Sequence, residues 1–328
     1  MRRFVLLALV FAATIRSPAD ELLNVSYDVT REFYADYNAV FAAHWRASGG
    51  KPVTIKQSHG GSSAQIRAVL AGLPADVVSM NQEIDIDRLA AAGWIDPRWA
   101  DRLPGQSVPY TSTIIFVVRR GNPRGIHDWP DLTRPNVSVI VPNPKTSGNG
   151  RYSYLAAWGY ALRRPGGNPA AARKFVARLF AQAPVLDAGG RGATTTFAQH
   201  GVGDVLLTFE NEAALIQREF ASDGLTVILP SVSIRADNPV AWVDRNVEHH
   251  HTEALARSYL TYLYSSEGQE VIARHHFRPQ NPAVLARHAA EFPALPLFTV
   301  AEIAGSWRQA QADHFADGGI FDQIGVNH

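Results

Sequence analysis

The stretch Asn143-Pro-Lys-Thr-Ser-Gly-Asn-Gly-Arg151 sets small polar residues between a β-branched run, Val137 to Val141, and a helical pattern marked by Tyr154, Leu155, Trp158 and Leu162. It reads as a strand-to-helix turn. Ser147 is placed to cap the helix, which leaves the N–H groups of Gly148 and Asn149 without intrahelical acceptors. Free amides at the positive end of a helix dipole attract anions. The chemistry on offer is the capture of a small oxyanion.

Three further turns are built the same way. Asp28 follows the run Leu22 to Tyr27, His59-Gly-Gly-Ser-Ser63 follows Val53 to Ser58, and Ala188-Gly-Gly-Arg-Gly-Ala193 follows Val185 to Asp187. Helical spacing comes after each: Phe33, Tyr37, Val40 and Phe41; then Ile66, Val69, Leu70 and Leu73; then a run through Phe197. One such turn is ordinary architecture, whereas four, at Asp28, Ser62, Ser147 and Gly190, point to a shared cleft.

Other motifs carry less. Gly60-Gly-Ser-Ser-Ala64 approaches the nucleophile elbow G-x-S-x-G but has Ala in the last place. A secreted serine hydrolase using Ser62 is thus the rival reading, and an N-capping serine is the plainer one. Gly148-Asn-Gly-Arg-Tyr-Ser153 is an incomplete dinucleotide fingerprint, poorly matched by Pro142 and Pro144. Lys145 precedes the glycines, so it is not a Walker lysine. The run His249-His-His251 reads as a solvated turn rather than a metal site, and His275-His276 lack partners at ligand spacing. Glu83, Asp85 and Asp87 are expected on an exposed helical face. Tyr152, Tyr154 and Trp158 are core by spacing. No cofactor is implied.

The remaining runs supply the frame. Ala75 to Ser79, Thr113 to Val118, Asp204 to Thr208, Leu225 to Leu229 and Val240 to Val243 read as strands; Ile84 to Ala92, Ala171 to Ala181 and Leu255 to Leu263 read as helices. Strands alternating with helices predict an α/β chain with mostly parallel sheets, whose ligands sit beyond the carboxyl ends of the strands. We place one lobe at 20–113 and 241–328 and a second at 114–240. The chain has 328 residues, 46% of them hydrophobic, with 7 Trp and 15 Phe, enough for a substantial core. A net charge of +1, from 31 basic and 30 acidic residues, argues against nucleic acid as a partner. The absence of Cys removes disulfides, a thiol nucleophile and a lipidated cysteine. Residues 1–19 open Met1-Arg-Arg-Phe4, run through short apolar residues and end near Ala19, the pattern of a cleaved secretory signal peptide. Two arginines alone do not make a twin-arginine motif, so the general secretory route is expected.

Five motifs then match one family in its order: Val25-Ser-Tyr-Asp28, Gln57-Ser-His-Gly-Gly-Ser62, Asn143-Pro-Lys-Thr-Ser-Gly148, Gly189-Gly-Arg-Gly-Ala-Thr-Thr-Thr-Phe197 and Gly203-Asp-Val-Leu206. From about Leu22 onward the chain resembles the periplasmic sulfate- and thiosulfate-binding proteins of ABC importers. The resemblance implies a two-lobed solute receptor of the type II class with a hinge, no catalysis, a location in the periplasm, a monomeric state and a permease partner in the inner membrane. In the sulfate type, backbone amides, a serine hydroxyl and one indole N–H hold the dianion. Carried over by motif, the amides are those of Asp28, Ser62, Gly148, Asn149 and Gly190, and the hydroxyl is that of Ser147. Gly150 stands where the family usually has Ala, a small change expected to leave the anion contact alone. Phe209 stands where the sulfate type has Trp. A buried sulfate oxygen short of one donor loses roughly 1–3 kcal/mol. Thiosulfate presents a larger, softer sulfur to an apolar ring, so the resemblance favours thiosulfate, with sulfate also bound; the alternative is a sulfate-preferring receptor of the same family, in which Phe209 is simply core and another donor substitutes.

Overall fold

A computed structural model describes residues 20–324; the expected signal segment 1–19 lies outside the described residues. In chain order the strands are β1 (Asp20–Tyr27), β2 (Val53–Gly60), β3 (Val77–Ser79), β4 (Tyr110–Val118), β5 (Val139–Ile140) and β6 (Val205–Phe209). They continue with β7 (Thr226–Ile228), β8 (Ser233–Asn238), β9 (Val240–Trp242), β10 (Arg278–Pro279) and β11 (Leu297–Phe298). The first sheet has the order β2-β1-β3-β9, with β1 parallel to β2 and β3 and β9 antiparallel to β3. Its parallel strands all end at one edge, where Asp28, Ser62 and Asn81 follow.

The second sheet is organised on β4. All nine of its residues are buried, as a nearly unbroken apolar run covered on both faces must be. The order is β11-β8-β4-β6-β5, with β7 and β10 also paired to β4. Its central strand runs antiparallel to β6, β7, β8 and β10, where strand–helix alternation predicted mostly parallel pairing. Alternation counts elements; it does not encode the end from which each strand enters.

Two boundaries expected from the sequence differ from the strand pairing. A division at 113/114 cuts through β4, whose residues Tyr110 to Thr113 already pair with Asn238 to Arg235 of β8. The end of the chain, expected on the first lobe, returns to the second sheet: β11 pairs with β8, Trp307 packs edge-on to Tyr152 at 5.0 Å, and Phe315 and Phe321 lie 5.3 and 5.9 Å from Tyr154. The cause is the Gly148–Arg163 helix, which is buried from Gly148 to Ala161. A helix buried on every side needs cover beyond one sheet, and the C-terminal aromatics supply it. The chain crosses between the sheets just before β4, again at Pro239 and a third time before β10. The first crossing follows a left-handed turn, Gly105, Gln106 and Ser107, with φ of 60, 60 and 59°. Ser107 Oγ pins it by donating to the carbonyls of Trp99 and Ala100 at 3.0 and 3.1 Å.

Candidate functional site

Three helix N-termini face one another across the two sheets. In the Ser62–Leu70 helix the first amide with a backbone acceptor is that of Ala64, donating to Gly61 at 2.8 Å. In the Gly148–Arg163 helix Ser147 is the N-cap; its Oγ accepts from the Gly150 amide at 3.3 Å, and its carbonyl accepts from Arg151 at 3.0 Å. In the Gly190–Thr194 helix the Ala193 amide donates to Gly189 at 3.1 Å. The amides of Ser62, Ser63, Gly148, Asn149, Gly190 and Arg191 precede those first bonds and have no helical acceptor. Asp28 opens a fourth, shorter turn directly after β1.

Close approaches fix how these turns meet. A β-carbon built on Gly61 would stand 3.7 Å from the Thr146 carbonyl oxygen, and one on Gly189 3.3 Å from Asp28 Oδ2. On Gly190 it would stand 3.2 Å from Asn149 Nδ2 and 3.7 Å from Val29 Cγ1. On Gly148 it would overlap the side chains of Asn81 and Gln82. Each pair but Gly190 and Asn149 joins a turn of the first sheet to a turn of the second. Asp28, Ser62, Ser147, Gly148, Asn149 and Gly190 therefore border one crevice, and it is shut: Ser62, Ser147 and Asn149 are 2, 4 and 3% exposed. The Asn149 side chain is committed elsewhere, donating to Thr208 Oγ1 and accepting from Ser153 Oγ, both at 3.2 Å. Phe209, next to Thr208, is buried with its ring 5.8 Å from that of Tyr152. Gly150 is more exacting than expected. A β-carbon there would overlap the Pro142 carbonyl oxygen, so in this chain an alanine requires the turn to shift.

The Ser62 hydroxyl is not placed as a nucleophile. It donates to Asp85 Oδ2 at 2.7 Å, and Ser63 Oγ donates to Asp85 Oδ1 at 2.7 Å. The nearby histidine, His59, is held instead between Ser26 Oγ at 2.7 Å from Nδ1 and Gln57 Oε1 at 2.6 Å from Nε2, and burial lowers it to about 4, so it is neutral. Asp85 also corrects the expected exposed acidic face. It is fully buried, while Glu83 is exposed and Asp87 accepts from Trp99 Nε1 at 3.0 Å. The missed signal was spacing: Asp85 lies four residues before the buried Leu89, on the same side of its helix.

The cations around the crevice are spoken for. Arg151, 4% exposed, donates from Nε to the Pro144 carbonyl at 3.0 Å and from Nη1 to Gln82 Oε1 at 3.1 Å. Arg191 bonds Glu32 at 2.9 Å and lies 3.6 Å from Glu212 Oε1. Lys145 is turned away to Asp322 at 2.9 Å and Asp317 at 3.3 Å, tying the turn to the C-terminal segment; nothing in the local sequence signals that pairing. Among the described residues no group of three His, Asp or Glu side chains is arranged to hold a metal. His250 Nδ1 is bound to Asp76 at 2.8 Å and His275 Nε2 to Asp36 at 2.9 Å.

Burial raises the Asp28 carboxyl, opposed by the facing amide of Arg191 and by its guanidinium. Burial also pushes Glu212 up to about 7 against the pull of Arg191 and the Thr194 hydroxyl at 3.0 Å, and Glu212 Oε2 has no partner. A carboxyl raised above its ordinary 4.5 stabilises the fold fully below that pH and loses the contribution as pH rises through about 7. Glu212→Gln keeps the neutral shape at every pH. We expect it to match the parent near pH 4.5 and to gain up to about 3 kcal/mol above pH 7, read from urea unfolding across that window. His59 and His314, both lowered to about 4, act the other way, stabilising above 6.5 and failing as pH falls toward 4; they are common to both proteins and cancel. A pH-independent difference would mean Glu212 is ionised throughout.

A sequence profile for bacterial extracellular solute-binding proteins matches residues 22–278. The chain belongs to this family. A thiosulfate-binding protein of Pseudomonas aeruginosa is 55% identical over 307 residues, covering 93% of this chain and 92% of that protein. A sulfate-binding protein of Salmonella typhimurium is 51% identical over 316 residues, covering 96% of each. The sulfate-binding protein SubI from Mycobacterium tuberculosis superposes with a TM-score of 0.81 at 34% identity, over 90% of this chain and 99% of that one. Solute-binding proteins of this kind are not enzymes, and with Ser62 tied to Asp85 the serine hydrolase reading falls. No helix among the described residues is long and apolar enough to cross a membrane.

Proposed function

We propose that the chain is a receptor that captures thiosulfate, and also sulfate, between its two sheets and delivers it to an ABC importer. One observation carries the reading: uncompensated amides from turns of both sheets converge on one crevice whose neighbouring arginines already have partners. A dianion there is held by neutral donors, the amides of Asp28, Ser62, Gly148, Asn149 and Gly190 and the hydroxyl of Ser147. Ser147 Oγ accepts from Gly150, so its own proton is free to donate. Relatives of nearly equal identity are named for each anion, so identity does not decide between them. Phe209 favours thiosulfate, because a phenyl ring offers no hydrogen bond to a fourth oxygen but packs well against sulfur. The exported, periplasmic and monomeric state and the inner-membrane permease partner go with this reading, as does cleavage of the signal segment near Ala19. Calorimetric titration with thiosulfate, then sulfate in competition, tests it. Binding of both, thiosulfate the tighter, is expected; no heat with either anion would end the reading, and a sulfate preference would end the role given to Phe209.

A further inference from the structure

We propose that Arg218 and Arg274 form an outer anion-collecting site at the mouth of the crevice, occupied before the two halves close. This rests on the oxyanion reading above. A small cavity opens beside Val29, which follows Asp28, and beside Asn211, two residues past Phe209. Both halves line it: Phe33 belongs to the Arg31–Ala47 helix packed on β2 of the first sheet, Leu215 and Arg218 to the helix that follows β6, and Arg274 to the Ser266–Arg274 helix, which bridges the Arg31–Ala47 helix and β10. Its volume of 20 Å³ suits about one water and no sulfur oxyanion. An ion collected there must move on as the halves shut, so the site acts on the rate of capture and not on the bound state.

The charge balance at this mouth singles out two side chains. Glu32 is paired with Arg191 at 2.9 Å, His275 with Asp36 at 2.9 Å, and His276 with Glu291 at 3.3 Å. Burial holds His276 below its ordinary value, and the neighbouring His275 and Arg218 add to this. Arg218 and Arg274 are exposed, and neither has an ion-pair partner among the described residues. Guanidinium forks match the spacing of two oxyanion oxygens. The chain as a whole carries a net charge of only +1, too little to draw a dianion from a distance, so attraction toward the crevice has to come from local charge. Concentrated positive charge at a cleft raises association rates by about 10- to 1000-fold, an effect that salt removes.

Stopped-flow measurement of sulfate and thiosulfate association, at low and at high sodium chloride, tests this on the full mature protein. The Arg218→Gln/Arg274→Gln double variant is expected to associate about tenfold more slowly at low salt, with a flatter salt dependence and an unchanged dissociation rate. Charge reversal, Arg218→Glu/Arg274→Glu, should deepen the loss at low salt. An association rate and salt slope equal to the parent's would overturn the proposal. So would a change confined to dissociation, which would make the pair part of the closed grip. Failure of the parent itself to bind either anion is a separate outcome, and it would remove the oxyanion reading together with this one.

Discussion

Replacing Gly190 with proline is expected to weaken both thiosulfate and sulfate by roughly one to two powers of ten, the loss of one buried amide donor. The substitution is unusually clean. Gly190 is the first residue of its helix, the position where proline is best tolerated, because its missing N–H has no intrahelical role. Gly189 before it is extended, with φ −160° and ψ 171°, a backbone that a following proline accepts. Gly190→Ala is the control. It keeps the amide and adds only a β-carbon 3.2 Å from Asn149 Nδ2, a side-chain atom able to give a few tenths of an ångström. The alanine variant should lose well under tenfold. Equal losses in the two variants would mean crowding, not the donor, sets affinity at this turn, and no loss in the proline variant would place the anion elsewhere.

The amide turns were legible because their chemistry is local. At Ser147 a capping serine, two glycines and the β-branched run that begins at Val137 sit close together in sequence, and the hydrogen-bond accounting of a helix start does the rest; at Ser62 the N-cap is Gly61, and the Ser62 side chain makes no capping bond. What decided the remainder lies far apart in sequence. Asp85 is buried because Ser62 and Ser63, more than twenty positions earlier, deliver two hydroxyls to it. Lys145 is withdrawn from the crevice by Asp317 and Asp322 at the other end of the chain. The C-terminal aromatics return to the second sheet because the helix from Gly148 is buried on more faces than one sheet can cover. Strand β8, Ser-Ile-Arg-Ala-Asp-Asn, carries too little apolar alternation to be read as a strand; pairing with β4 on one side and β11 on the other makes it one. Gly150 shows the same limit at short range. Its neighbours Pro142 and Asn143 are close in sequence, yet only the folded turn brings the Pro142 carbonyl under the missing β-carbon.

Phe209→Trp is expected to shift the ratio of affinities toward sulfate by roughly tenfold or more, since an indole N–H aimed at a buried oxygen restores a donor worth about 1–3 kcal/mol. The absolute affinities carry a second contribution. Phe209 is 1% exposed and packs edge-on to Tyr152, so a larger ring strains the core by about 1–3 kcal/mol and biases the closing of the crevice. That strain belongs to the protein and is shared by its complexes with either anion, so it cancels in the ratio. The new donor does not cancel, because sulfate offers an oxygen where thiosulfate can turn its sulfur, a weak acceptor, toward the ring. Competition titration of one anion against the other measures the ratio directly, and thermal unfolding of the free variant measures the strain separately. A lowered unfolding midpoint with a shifted ratio fits this account. An unshifted ratio would mean that residue 209 does not touch the ion, leaving selectivity to the peptide amides alone, which treat the two anions nearly alike.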